Sequence, residues 1–363
     1  MRLTRLTVQN FRNLALVELD LAGRQQFLVG DNAQGKTNLL EAIGFITALR
    51  SFRASDNRLL IRQGEAEAAI ACTLEHERFG ETRVTIRLRP GSKEVTCDGE
   101  RVSRIGEYLG RFPTVVFSSQ DQQLVRGAPT ARRRWADLTL AAMDAEYLRM
   151  LQQYHRALGE RNALLKRGAF AAEIEAFERP LASAAAAIVT KRSQATAALA
   201  EALRAGYSDI AHTSEVAGLD YEADGAFESE GEWIERFARN RSRDLALKST
   251  STGPHRDDYR LQIDGRSARD FGSEGQQRSL VLSLRLAQLV YFRRHSGVEP
   301  ILLADDVLGE LDTQRRARFW ASLGTARQVI ATGTQLPDAD LGQWQIFEVL
   351  NGSFQAGATG GLA

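Results

Sequence analysis

Gly30-Asp31-Asn32-Ala33-Gln34-Gly35-Lys36-Thr37 carries the spacing G-x-x-x-x-G-K-[ST] at every fixed position. Ahead of it Phe27-Leu28-Val29 reads as a short, wholly apolar strand. Behind it Leu39 to Leu49 reads as a helix, with Leu39, Leu40, Ile43 and Ile46 on one side. Glycines at both ends let the backbone curl, so that successive N–H groups face an anion at a helix N-terminus. The residues from Gly30 and Asp31 through Asn32, Ala33, Gln34, Gly35, Lys36 and Thr37 to Asn38 are therefore the expected cradle of a nucleoside triphosphate. Lys36 is expected to reach the β and γ oxygens, and the Thr37 hydroxyl to ligate Mg²⁺.

A second stretch completes the chemistry. Ile301-Leu302-Leu303-Ala304-Asp305-Asp306 is an apolar strand ending in two carboxylates. Asp305 is the expected metal ligand, and Asp306 the group that polarises the attacking water. Phe271-Gly272-Ser273-Glu274-Gly275-Gln276-Gln277-Arg278 opens the helix that leads into that strand. Read locally, Ser273 and Gln276 form a capping box. Read by position, the run occupies the place of the signature helix in ABC-type ATPases. There Ser273, Gly275 and Gln276 are expected to hold the γ-phosphate of an ATP bound to another subunit. Gln120, after the strand Thr114-Val115-Val116-Phe117, fits a Q-loop that senses the metal and the water, with its register open to a neighbour. Gly309-Glu310-Leu311-Asp312 fits a D-loop, with Asp312 at the nucleotide. Thr332 stands where a switch histidine often sits and is a candidate γ-phosphate contact. Asp306 is one methylene shorter than the Glu frequent at its place, which fits slow hydrolysis.

Composition narrows the rest. The 363 residues carry 47 Lys and Arg against 46 Asp and Glu, a net charge of +1, so a nucleic-acid surface has to be a local patch. An apolar fraction of 43% suits a folded core, and at about 100–200 residues per domain the chain is expected to hold two or three units. No apolar run approaches the ~20 residues of a membrane span, and the start lacks a signal-peptide core. The two cysteines, Cys72 and Cys97, read as reduced thiols of a cytoplasmic protein.

Strand patterns crowd both ends. Leu6 and Val8, then Val17, Leu19 and Leu21, alternate with polar residues. Hairpins are expected at Pro90-Gly91, Asp98-Gly99 and Asp264-Gly265. From Ala131 to Gly206 helix dominates, as one stretch to Arg167 and one from Ala171, broken at Gly168, with Pro180 starting or kinking the second. A helix of roughly 35 residues spans about 50 Å, a short arm. Arg278 to Arg293 reads as amphipathic on Leu280, Leu284, Ala287 and Tyr291. The expected fold is α/β: an ABC-type ATPase domain with a mixed sheet, built from 1–130 and 245–363, with a helical arm inserted at 131–244.

With these motifs in place, the chain resembles the RecF family of bacterial recombination mediators, small relatives of the SMC ATPase heads. The resemblance rests on Asn10-Phe11-Arg12-Asn13, the loop Gly30 to Thr37, Leu124 to Pro129 with Arg132-Arg133-Arg134, and Arg161 to Lys166. It continues in Gly253 to Asp258, Glu274 to Gln277 and Asp305 to Asp312. Ser119-Gln120-Asp121-Gln122 stands where the family usually has Pro-Glu-Asp-Leu, and Gly309 where it has Ser. The resemblance implies a weak, DNA-dependent ATPase that dimerises around two ATP and grips double-stranded and gapped DNA. It also implies action with RecO and RecR in loading recombinase at stalled forks, and support of the SOS response.

Arg132, Arg133 and Arg134, with Arg149, Arg156, Arg161, Lys166 and Arg167 further along, either follow a phosphate track or line a solvated helix face. His255 either contacts nucleotide or caps a loop. The ATP motifs alone also suit the motor subunit of an ABC transporter, a long-armed DNA-bridging head, or an ATP-gated scaffold without turnover. The basic helical insert argues against the first, and its shortness against the second.

Overall fold

The computed structural model describes residues 1–54, 56–211, 214–225, 229–307, 313–337 and 341–357. The chain divides into two compact units: 1–121, 205–213 and 279–363 form the first; 122–204 and 214–278 form the second. The insertion expected at 131–244 is narrower than the second unit, which begins at Gln122 and runs to Arg278. Ser273 to Gln276 thus fall in the second unit, not with the phosphate loop.

The first unit holds two sheets. In one, β1 (Arg2–Phe11), β2 (Leu14–Asp20), β4 (Ala68–His76), β5 (Gly80–Arg89), β6 (Ser92–Cys97) and β7 (Glu100–Arg101) pair antiparallel in the order β2-β1-β4-β5-β6-β7. Its apolar residues alternate inward, as in Leu6 and Val8 of β1 and Val84, Ile86 and Leu88 of β5. The other contains β3 (Gln25–Val29), β8 (Thr114–Ser118), β12 (Ile301–Asp305), β13 (Val329–Gly333), β14 (Gln345–Leu350) and β15 (Ser353–Ala356). Its order is β15-β14-β3-β13-β12-β8, parallel except for the edge hairpin β14–β15. The helix α1 (Lys36–Ala48) joins both sheets in one core, where Leu39, Leu40 and Ile43 meet Leu6 and Val8 from one side and Ile301, Leu303 and Ile330 from the other. Full burial of each such side chain is worth about 1.5–3 kcal/mol. The short α2 (Ile105–Tyr108) buries Tyr108, whose hydroxyl donates to the Ile46 carbonyl.

The second unit is helical around a small sheet. It holds α3 (Gln122–Arg126), α4 (Pro129–Met143), α5 (Ala145–Arg167), most of α6 (Ala171–Ala211), α7 (Glu230–Leu247) and α8 (Ala268–Phe271). Strands β9 (Ala217–Glu222), β10 (Asp258–Ile263) and β11 (Arg266–Ser267) pair antiparallel, β10 central. Gly168 closes α5 in the left-handed region, as its position predicts. The first helical stretch is two helices, because Asp144 leaves the helical region and caps α5 through its side chain and the Tyr147 N–H. Pro180 lies inside the 41-residue α6 and does not start it. The last long helices are α9 (Glu274–Ser296) and α10 (Thr313–Leu323). Between Ser279 and Phe292, α9 is buried on nearly every side rather than along one stripe. No helix among the described residues is long and apolar enough to cross a membrane.

Candidate functional site

A parallel sheet presents its ligand-binding edge at the carboxyl ends of its strands. Here that edge carries, strand by strand, the phosphate loop after β3, Thr332 in β13, Asp305 at the end of β12 and the Ser119–Asp121 turn after β8. Register aligns them: Thr332 pairs with Leu28, Gly333 with Val29, and Asp305 with Ser118.

The loop takes its shape from close packing. A side chain at Gly30 would meet the Val349 carbonyl oxygen at 2.4 Å. Gly35 has φ +113°, and a Cβ there would lie 3.0 Å from Leu14 and 3.1 Å from Asn13. Between them Gln34 is braced from the C-terminal hairpin: its carbonyl accepts the Gly352 N–H (2.8 Å) and its Oε1 the Asn351 N–H (2.6 Å). Asn38 donates to Asn13 Oδ1 (2.7 Å) and accepts from Arg53 (2.9 Å). Arg12 holds the buried Glu41 of α1 through two bonds, at 2.9 and 3.0 Å. The stretch Asn10 to Asn13 thus ties the β1–β2 turn to the helix behind the loop, a role its spacing alone did not disclose.

Lys36 is 4% exposed, and its Nζ donates to the carbonyls of Gly30 (2.5 Å) and Asp31 (2.9 Å). Its ammonium lies inside the curl that the loop makes. Asp305, 9% exposed, accepts at Oδ1 from Thr37 (2.8 Å) and from Thr332 (3.1 Å). Thr332 Oγ1 in turn accepts the Asp306 N–H (3.0 Å). Burial raises the Asp305 carboxyl above the usual range. Asp306 is held at φ +56°, in the left-handed region. Lys36, Thr37, Asp305, Asp306 and Thr332 are therefore brought into one cluster. A hydroxyl and a carboxylate, both hard oxygen donors, suit Mg²⁺.

Gln120 is exposed and makes no hydrogen bond to Thr37 or Asp305 among the described residues. The turn is pinned by its neighbour: Asp121 accepts the Ser118 N–H and two bonds from Arg285, at 2.5 and 3.0 Å. Asp312 lies outside the described residues.

In the second unit, Ser273 is exposed at the start of α9. Its N–H donates to Gln276 Oε1 (2.7 Å) and its Oγ accepts the Gln276 N–H (3.3 Å), so the capping box forms. Gln276 also donates to Glu215 (2.7 Å). The buried Gln277 fixes the turn ahead of the helix, donating to the carbonyls of Ala268 (2.9 Å) and Gly272 (3.1 Å) and accepting from Arg126 (2.7 Å). Gly275 is half-buried within the first helical turn.

The arginines proposed for DNA divide. Arg161 is fully buried, paired with Glu178 (3.0 Å) and Asp244 (2.8 Å), bonded to Thr250 and stacked over Phe237. Arg132 is 7% exposed and grips Asp258 at 2.7 and 2.8 Å. Neither can reach a phosphate; both are corrected to internal ties of the second unit. Arg133 is half-buried and donates to the Asp257 carbonyl (2.7 Å). Arg134 and Lys166 are exposed. Gly253 to Asp258 is a structural segment too, since Asp257 pairs with the buried Arg192 at 2.7 Å.

His255 caps a loop. Its Nε2 donates to the Thr250 carbonyl (3.1 Å), so Nδ1 accepts the Tyr154 hydroxyl (2.6 Å). Burial lowers the imidazole to about 4. An unfolded histidine takes its proton near 6.5, so this group contributes fully above that pH and the contribution is lost as pH falls towards 4. Unfolding free energy is expected to fall by about 1–2 kcal/mol more between pH 7 and pH 5 in the parent than in His255→Asn. Equal pH dependence of urea midpoints in the two proteins would contradict this.

Comparison with known proteins agrees with the geometry. The family model described as the RecF/RecN/SMC N-terminal domain matches residues 2–337. The DNA replication and repair protein RecF of Synechococcus sp. (strain JA-3-3Ab) is 35% identical over 356 residues, 94% of this chain and 93% of that one. The solved structure of the recombination mediator protein RecF-ATPrS in the RecFOR pathway superposes with a TM-score of 0.89 at 30% identity, over 98% of each chain. An Smc head bound to the C-terminal winged-helix domain of ScpA, 15% identical, superposes with a TM-score of 0.54 over 98% of this chain and 96% of that one and shares the fold. An α/β ATPase head whose phosphate loop, paired aspartates and Ser-x-Gly-Gln helix all lie within the matched span belongs to the RecF/RecN/SMC N-terminal domain family.

Proposed function

We propose that the chain is a cytoplasmic ATP-gated DNA-repair ATPase whose ATP-bound dimer grips double-stranded or gapped DNA and lets go on slow hydrolysis. The observation that carries this reading is the cluster of Lys36, Thr37, Asp305, Asp306 and Thr332 at one sheet edge. On ATP binding, Lys36 exchanges the Gly30 and Asp31 carbonyls for β- and γ-phosphate oxygens. The N–H groups from Asn32 to Asn38 close around the β-phosphate. Thr37 and Asp305 are the residues that would hold Mg²⁺, which would neutralise phosphate charge. Asp306 accepts a proton from the attacking water, and Thr332 positions Asp306 through its N–H. Gln120, and Asp312 in the D-loop, are assigned to the nucleotide of the closed dimer.

Ser273, Gly275 and Gln276 are assigned to the γ-phosphate on a second copy. An exposed helix N-terminus with a serine hydroxyl is an anion site in waiting. ATP gripped from both sides favours the closed dimer by as much as it binds that state more tightly. With Arg132 and Arg161 buried, the DNA contact is assigned to Arg134, Lys166 and the exposed edge of Arg133. RecR- and RecO-like mediators are the proposed partners, by kinship with the repair proteins named above.

Sedimentation with ATP and Mg²⁺ tests the dimer. The parent is expected to shift to a dimer, and Ser273→Arg to stay monomeric while still binding ATP on its own phosphate loop. A Ser273→Arg protein that dimerises like the parent removes the sandwich.

A further inference from the structure

The second unit carries a groove of about 720 Å³ between α5 and α6, lined by Arg149, Gln152, Gln153, Arg156, Phe177 and Pro180. Ala157 lies in its floor and Glu160 at one end. Arg149, Gln152, Gln153, Arg156 and Glu160 recur at intervals of three and four, so they occupy one face of α5. Arg149 and Arg156 are exposed, and neither has an ion-pair partner among the described residues. Pro180 has no N–H to donate, so the Ala176 carbonyl beside Phe177 loses its intrahelical donor. Gln153 donates to the Pro180 carbonyl (3.4 Å) and holds the two helices together at this point.

We propose that this groove docks an acidic segment of another protein, with apolar side chains between its carboxylates. The size suits such an insertion, since ligand clefts run to about 300–1,000 Å³. The arginines are seven residues apart, about 10 Å along the helix, and match carboxylates two turns apart on a helix or about three residues apart on a strand. Between them the floor of Ala157, Phe177 and Pro180 takes an apolar side chain, the pattern by which arginine clusters read acidic motifs. Glu160 repels a carboxylate at its end and so gives the groove a direction. A DNA duplex fits less well: its phosphates can touch the arginine rim, but a rigid cylinder leaves the apolar floor empty. The docking needs neither ATP nor a dimer and stands apart from the reading of the nucleotide site.

The probe is a fluorescein-labelled 16-residue peptide with Asp or Glu and Leu or Phe at helical spacing, titrated with the full-length protein and followed by anisotropy. Its counterpart has every acidic residue replaced by Lys. The acidic peptide is expected to bind and the basic one not. Arg149→Glu with Arg156→Glu is expected to weaken binding at least tenfold, and Arg243→Glu, at an exposed arginine of α7, to leave it unchanged, with all variants matching the parent in thermal unfolding. Equal binding by the double variant, or by the basic peptide, overturns the proposal. Displacement of the peptide by a 30-base-pair duplex, with loss of duplex affinity in the double variant, overturns it in favour of a nucleic-acid surface.

Discussion

Lys36→Ala is expected to lower the ATP turnover number by at least about 10²–10³-fold, the usual cost of deleting one preorganised donor to charge that builds up in a transition state. The ammonium is almost wholly buried, and both hydrogen bonds it makes go to carbonyls of the loop that is to hold the phosphates. No neighbouring cation can replace it, because Arg12 is committed to Glu41, and Arg53 to Asn38 and Glu41. Thr37→Val is expected to act through the metal instead: Asp305 keeps Thr332 as a donor but loses Thr37, and turnover should recover in part at high Mg²⁺, which Lys36→Ala does not allow. The pair separates the two roles in one assay of turnover against Mg²⁺ concentration. Turnover by Lys36→Ala at the parent rate would remove the loop from the chemistry.

That site was largely legible in the sequence, because its parts are local. A phosphate loop is specified by glycines and a lysine within eight positions, and the strand before Asp305 by an unbroken apolar run. Five parallel strands then bring Thr332, Asp305 and the loop to one edge without further instruction. What stayed hidden depends on partners far along the chain. The brace on Gln34 comes from Asn351, 317 residues away. The strand β9 had a signal in Ala217, Leu219 and Tyr221, but acidic neighbours masked it until β10 supplied its partner. The helix α9 reads as amphipathic because Arg285 and Gln288 interrupt its apolar run. In the fold Arg285 is bound to Asp121, so a polar position is satisfied without facing water. Within the triple arginine run Arg132 is hidden for the same reason: charge in a sequence carries no sign of the carboxylate that will bury it. Arg132 finds Asp258 at a separation of 126 residues.

Arg161 makes that lesson quantitative. Arg161→Ala is expected to destabilise the second unit by about 3–5 kcal/mol, since removing one partner of a buried pair strands the other charge. Here two carboxylates lose a partner. Glu178 retains Arg241, bonded at 3.2 Å through Nε, whereas Asp244 retains the Ser251 N–H, at 3.0 Å, and no cation among the described residues. The guanidinium also supplies a bond to Thr250 and a stack 5.5 Å over Phe237, both lost on truncation. Arg161→Lys should recover little, because a point charge cannot span Glu178 and Asp244 with the geometry of a planar fork. Arg161→Met with Asp244→Asn should recover much of the loss, since Glu178 keeps Arg241 and no buried charge is then left without a partner. A DNA-contacting residue predicts the opposite pattern: unchanged urea unfolding in Arg161→Ala, and a weaker salt dependence of duplex binding. Urea unfolding and duplex titration of the same two proteins therefore decide between an internal tie and a phosphate contact. An unfolding midpoint unchanged in Arg161→Ala would mean that the buried network is not what holds α5, α6 and α7 together.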